Sequence, residues 1–189
     1  MTRIYFIIIL LISTLSFAQK KELRKAQKLF SEGKIDESLK MLEESDALFD
    51  TADDKTLASY SLLLAKIARS NSEFQKTFDF LSAIKNSPSV KSDVAVELSE
   101  LTNDIINSAI KDNEKKDYSA STKKLFLAYS ISPETNSDYL YFAASGAVNA
   151  KDLDLALEYY LMLEKINYQG VVTKYYVTEL ESGNEIEVQ

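Results

Sequence analysis

From Lys20 onward, apolar residues recur three and four positions apart in almost every window, the period of a helix that buries one stripe. A chain patterned this way must pack helix on helix. Leu23, Ala26, Leu29 and Phe30 mark one face of a first helix that stops at Gly33, and Ile35, Leu39 and Leu42 mark the next. So short a turn sets two helices antiparallel. The same pattern predicts a second pair over Thr56–Ser70 and Glu73–Asn86, with Leu57, Leu64, Ala65 and Ala68 facing Phe74, Phe78, Leu81 and Ile84. Pro88 closes it, because the residue before a proline is pushed out of the helical region. A third pair spans Ser92–Asp112 and Tyr118–Tyr129, ended by Ser132-Pro133, and a fourth spans Asn136–Asn149 and Leu153–Ile166.

The turns inside these pairs look alike. Gly33-Lys34-Ile35-Asp36-Glu37-Ser38, Asn71-Ser72-Glu73-Phe74-Gln75-Lys76-Thr77, Lys116-Asp117-Tyr118-Ser119-Ala120-Ser121 and Lys151-Asp152-Leu153-Asp154-Leu155-Ala156 resemble the mid-repeat turn of the tetratricopeptide repeat family. In that family a small residue opens the second helix where two helices cross closely. Ser38, Thr77, Ser121 and Ala156 hold that place, and each is followed four residues later by a large group, Leu42, Leu81, Leu125 or Tyr160, expected to pack toward the next repeat. Ala26, Ala65, Ala109 and Ala144 stand twelve residues before the four small residues, and Pro133 stands where the family closes a repeat with proline. The spacing between repeats exceeds the family period, which puts extra residues in the regions 45–55 and 86–97. Glycine occupies the turn only in the first pair; Ser72, Lys116 and Lys151 replace it, tolerable if the turn is not left-handed there. Asp112 stands where a bulky apolar residue is usual. The resemblance covers Lys20 to about Tyr168 and implies an all-α superhelix of about four helix pairs. An unrelated helical bundle shares the periodicity but gives no reason for the four matched small pairs.

The two ends differ from this middle. Arg3, the nine-residue apolar run Ile4–Ile12 and Ser16-Phe17-Ala18 read as a secretory signal cleaved after Ala18, so residues 1–18 are expected to be an address and the product exported to a periplasm or outside the cell. If the signal stays uncleaved, it is the segment that touches a membrane. The repeat domain then occupies residues 19–168. In the tail, 169–189, alternation over Lys174–Leu180 and Glu185–Val188 around Glu181-Ser182-Gly183-Asn184 predicts a small β-hairpin. The tail also bears a loose likeness to secreted helical-repeat proteins of flavobacterial type.

Composition narrows the chemistry. With no Cys and no His, the chain has no disulfide, no thiolate or imidazole metal ligand, and no His-based acid or base. A net charge of −7 argues against nucleic acid as partner. The glycines form no phosphate-binding pattern. Ser82 with Lys85 and Ser121 with Lys124 make bare Ser-x-x-Lys matches that read more simply as helix surface, and Asp50, Asp53 and Asp54 lack the glycine and distal glutamate of a calcium loop. Paired carboxylates for sugar hydrolysis have no recognisable placement. No catalytic residue, cofactor or metal is therefore expected, and the chain reads as a non-catalytic adaptor for a protein or peptide. The alternative is a helper region of a longer envelope enzyme or transport assembly. The resemblance implies that the first helix of each pair lines a concave groove. Counting along those helices, away from the matched alanines, gives Gln27, Lys66, Arg69, Asn103, Tyr141, Ser145 and Asn149 as its candidate lining. Lys66 and Arg69 would clamp a partner's carboxylate. On the first helix, Lys20, Lys21, Arg24, Lys25 and Lys28 form a basic stripe suited to acidic headgroups, to a partner or simply to water.

Overall fold

The computed structural model describes the backbone of residues 2–170, 175–179 and 185–188, and side chains over 15–170 and at Val177 and Glu179. The architecture is helical. Among the described residues eight helices follow in order: α1 Thr2–Ser31, α2 Ile35–Phe49, α3 Asp54–Ser70, α4 Phe74–Ile84, α5 Lys91–Glu114, α6 Tyr118–Ile131, α7 Ser137–Asn149 and α8 Leu153–Lys165. Two short strands, β1 Tyr175–Thr178 and β2 Glu185–Val188, pair antiparallel with Tyr175 opposite Val188. The turn expected at 181–184 and the side chains of the apolar run 4–12 lie outside the described residues. The chain divides into two compact units, Met1–Asn107 and Ser108–Gln189, with the division inside α5.

In the first unit α1 packs on α2 and α3 on α4, while α2 and α1 both touch α3. Its core joins Leu23, Ala26, Leu42, Phe49, Tyr60, Leu63 and Ile67. Phe49 stacks on Tyr60 at 4.1 Å between ring centroids, and the Tyr60 hydroxyl donates to Asp46 at 2.6 Å. Burial, then the hydrogen bond to Asp46 and its charge, raise the Tyr60 pKa above that of a free phenol. In the second unit α6 and α8 both pack on α7. Its core holds Tyr129, Leu140, Ala143, Ala144, Tyr159 and Leu163, with Phe126 stacked on Tyr159 at 4.7 Å. α6 and α7 approach so closely that a Cβ at Gly146 would lie 2.5 Å from Thr122 Oγ1.

The matched small residues are buried. Ala26 and Ser38, Ala65 and Thr77, Ala109 and Ser121, and Ala144 and Ala156 are all at most 3 % exposed. In the first pair the contact is direct: Ser38 Oγ donates to the Ala26 carbonyl at 2.8 Å. Residues of the first extra region extend α2 to Phe49, and those of the second start α5 at Lys91, so most of the added length became helix. Asp112 is met by Lys124, whose ammonium also donates to Ser108 Oγ at 2.8 Å. Leu57 corrects the expected facing set: it is 43 % exposed, because α3 buries Thr56, Ala58, Tyr60 and Leu63 against its neighbours and turns Leu57 outward.

The turns are the larger correction. They are left-handed in all four pairs: φ is 76° at Gly33, 59° at Ser72, 64° at Lys116 and 62° at Lys151. Each is followed by the same backbone bond, in which the next N–H reaches back to a carbonyl five residues earlier: Lys34 to Leu29, Glu73 to Ala68, Asp117 to Asp112 and Asp152 to Ala147, at 2.8 to 3.0 Å. This is the bond that satisfies the last carbonyls of a helix through a left-handed residue. Asp117 and Asp152 then cap the following helices by accepting from the N–H groups of Ala120 and Leu155. An L residue in this conformation costs roughly 1–2 kcal/mol, partly offset by the extra chain entropy glycine would lose. Lys116→Gly and Lys151→Gly are each expected to raise stability by about 1 kcal/mol, read as a higher urea midpoint with unchanged slope.

Candidate functional site

The first helices of the opening pairs, α1 and α3, together with the start of α5, enclose a cleft of about 350 Å³. Gln27 and Phe30 come from α1, Ser59, Leu62, Leu63 and Lys66 from α3, and Ser89, Val90 and Asp93 from the entrance to α5. The local reasons are plain. Gln27 follows buried Ala26, so it stands at the edge of the α1 contact face. Lys66 follows buried Ala65 in the same way, one turn after Leu62. The floor is apolar, with Leu62, Leu63 and Val90 each at most 8 % exposed, and the rim is polar. Such a lining suits a small apolar side chain and the backbone groups on either side of it.

Lys66 of this lining also belongs to an ion network. Arg69 Nε donates to Glu97 Oε2 at 3.0 Å, Nη1 to Asp104 Oδ2 at 2.9 Å and Nη2 to Glu100 Oε2. Lys66 Nζ stands 3.4 Å from the other oxygen of Glu97. Glu97 is 6 % exposed, so its charge is held inside by these two cations. Burial of Arg69 works against its charge, yet the hydrogen bond to Asp104 and the fields of Glu97, Glu100 and Asp104 outweigh it and raise the guanidinium pKa. Glu97, Glu100 and Asp104 fall three and four apart on α5, a spacing that places all of them on one helix face toward α3.

The expected groove residues therefore separate. Gln27 and Lys66 line the cleft, whereas Arg69 is taken up by the acids of α5 and Asn103 is exposed outside the lining. The carboxylates that Lys66 and Arg69 hold belong to the chain itself. Tyr141, Ser145 and Asn149 lie on α7 in the second unit, four residues apart along one side. There the Tyr141 ring is 5.9 Å from that of Tyr168, and the hydroxyls of Ser145 and Tyr160 are 3.4 Å apart. Tyr168 donates to Asp138 at 2.7 Å, and burial together with that bond raises its pKa. Counting away from the matched alanines missed the apolar floor, Phe30, Leu62, Leu63 and Val90, and the polar Ser59, Ser89 and Asp93, which lie a turn or more from those alanines; the spacing of the α5 acids was the readable signal for the network.

The other candidates have structural work. Asp53 caps α3, accepting from the Thr56 N–H at 2.8 Å, and pairs with Lys20 at 3.3 Å. The Thr56 bond first, and Lys20 after it, hold its pKa below the usual carboxylate value. Lys124 turns to Asp112 and Ser108, and Ser121 is 3 % exposed. No helix among the described residues is long and apolar enough to cross a membrane. Compared with family models, curated proteins and solved structures, the chain matches none.

Removing Arg69 would leave Glu97 with Lys66 alone, and a buried charge stripped of its main partner is costly. Arg69→Met is expected to destabilise the protein by about 2 kcal/mol, and Arg69→Lys to recover less than half of that, since one ammonium does not span three carboxylates. Urea unfolding of the two variants checks both.

Proposed function

We propose that the chain is a non-catalytic, exported adaptor that holds an extended peptide or a partner helix, and that it belongs among tetratricopeptide-type helical repeats. The observation that carries the reading is the cleft: successive first helices, α1, α3 and α5, contribute to one lining, as a groove formed by stacked pairs requires. Support for the repeat comes from the four equivalent left-handed turns with their shared backbone bond, and from the four buried small pairs. The apolar floor would take a side chain of the ligand, and Gln27, Ser59, Ser89 and Lys66 would meet its backbone. A peptide library panned on the full chain tests this. Peptides selected on the chain are expected to lose at least about tenfold in affinity when Ser59→Tyr and Ser89→Tyr fill the cleft, on the scale of a lost anchor pocket. Binding that ignores the plug removes the assignment.

A second reading, a helper region stacked within a larger assembly, is favoured by α8. Leu42 and Leu81 are fully buried and Leu125 is packed in the second core, but Tyr160, at the equivalent place on α8, is 40 % exposed. Leu153, Leu157 and Leu161 beside it are 66 %, 59 % and 54 % exposed. An apolar stripe of this kind is what an adjoining helix would cover. A photo-crosslinking residue at 157 is expected to give a discrete protein adduct in the native host, and one at the exposed Lys40 of α2 none; equal yields at both positions would remove this reading.

A further inference from the structure

The outer side of α1 is chemically unlike the rest of the molecule. Residues 20–28 carry five cations and one acid in a chain whose net charge is −7. At 100° per residue, Phe17, Lys21, Arg24 and Lys28 fall on one line along the helix, with Lys20 and Lys25 on its flanks. Gln19, Leu23 and Ala26, all at most 5 % exposed, occupy the opposite side, and Gln19 Nε2 anchors it by donating to the Leu48 carbonyl at 2.7 Å. The contact with α2 therefore fixes which way the cations point. Phe17 is 71 % exposed and, with the aliphatic stems of the five cations, forms a shallow, largely apolar strip beneath the charged heads.

Charge compensation along the stripe is partial. Lys20 meets Asp53 at 3.3 Å, Lys25 meets Glu22 at 2.7 Å and Lys28 stands 3.8 Å from Glu32. Lys21 and Arg24, at the centre of the line, have no acidic partner among the described residues. An apolar strip edged by cations along one side of a helix fits a flat, anionic, amphiphilic surface. The same unbroken helix carries the run Ile4–Ile12, whose end lies eight residues before Lys20, about 12 Å along the axis. Whatever brings that run to a bilayer brings the stripe to the headgroups.

We propose that, in the chain that keeps residues 1–18, the outer face of α1 is a docking surface for anionic phospholipid headgroups, with Lys21 and Arg24 on the phosphates and Phe17 at the acyl boundary; in a chain cleaved after Ala18 the five cations alone remain. This surface is separate from the cleft, and its partner is a membrane surface rather than a peptide. The test is co-sedimentation of the full chain with phosphatidylcholine vesicles, with and without phosphatidylglycerol. Binding is expected to be tighter on the anionic vesicles, and the excess to disappear at high salt. Each cation near such a surface contributes roughly fivefold, so Lys21→Gln with Arg24→Gln is expected to weaken binding to anionic vesicles roughly 25-fold and to leave binding to neutral vesicles unchanged. Lys40→Gln with Lys76→Gln removes two exposed cations from α2 and α4 and is expected to have no effect. Both double variants should keep the wild-type far-ultraviolet circular dichroism. Equal binding to the two vesicle types, or equal losses in the two double variants, would overturn the proposal.

Discussion

Close approach of helices at small side chains is the constraint on which the molecule rests. Where Ser38 lies against α1, its hydroxyl reaches the Ala26 carbonyl. Small residues stand at the equivalent places Ala65 and Thr77, Ala109 and Ser121, and Ala144 and Ala156, and all eight residues are buried. A helix pair seated this closely turns its larger side chains away from the notch, toward the flanks. Those flanks bury Leu42 and Leu81 in the first unit and leave Tyr160 open on α8.

The turn geometry follows from the same constraint. To bring the second helix back onto the first within four residues, the chain must pass through the left-handed region, and it does so at Gly33, Ser72, Lys116 and Lys151 alike. Glycine makes that passage without strain, while the other three accept it in exchange for the backbone bond that closes the preceding helix. In the first unit a second device is added. Arg69 ties α3 to three acids of α5, so two of the three helices that border the cleft are joined through a charged network.

Much of the fold was readable from the sequence because helix periodicity is a local signal. The limits of α3, α6, α7 and α8 fall within two residues of their expected positions. What was not readable depends on partners distant in sequence. Leu57 has the right period for the core, yet α3 is buried on more than one side and its register is decided by Tyr60, Leu63 and Ile67. The left-handed turns at Ser72, Lys116 and Lys151 carry no glycine to announce them. At the site, Gln27 and Lys66 were legible as neighbours of the matched alanines, but the role of Arg69 depends on Glu97, Glu100 and Asp104, which are 28 to 35 residues away.

Because the chain has no native cysteine, disulfide trapping measures the central claim directly. Ala26→Cys with Ser38→Cys puts two thiols on helices that already meet through the Ser38 hydroxyl and the Ala26 backbone carbonyl, and the other three small pairs can be substituted in the same way. The account predicts that all four double variants oxidise to intramolecular disulfides in the folded protein, while the exposed pair Lys40→Cys with Lys76→Cys stays reduced. Failure of the four pairs to form disulfides, or oxidation no faster than in the exposed pair, would contradict it.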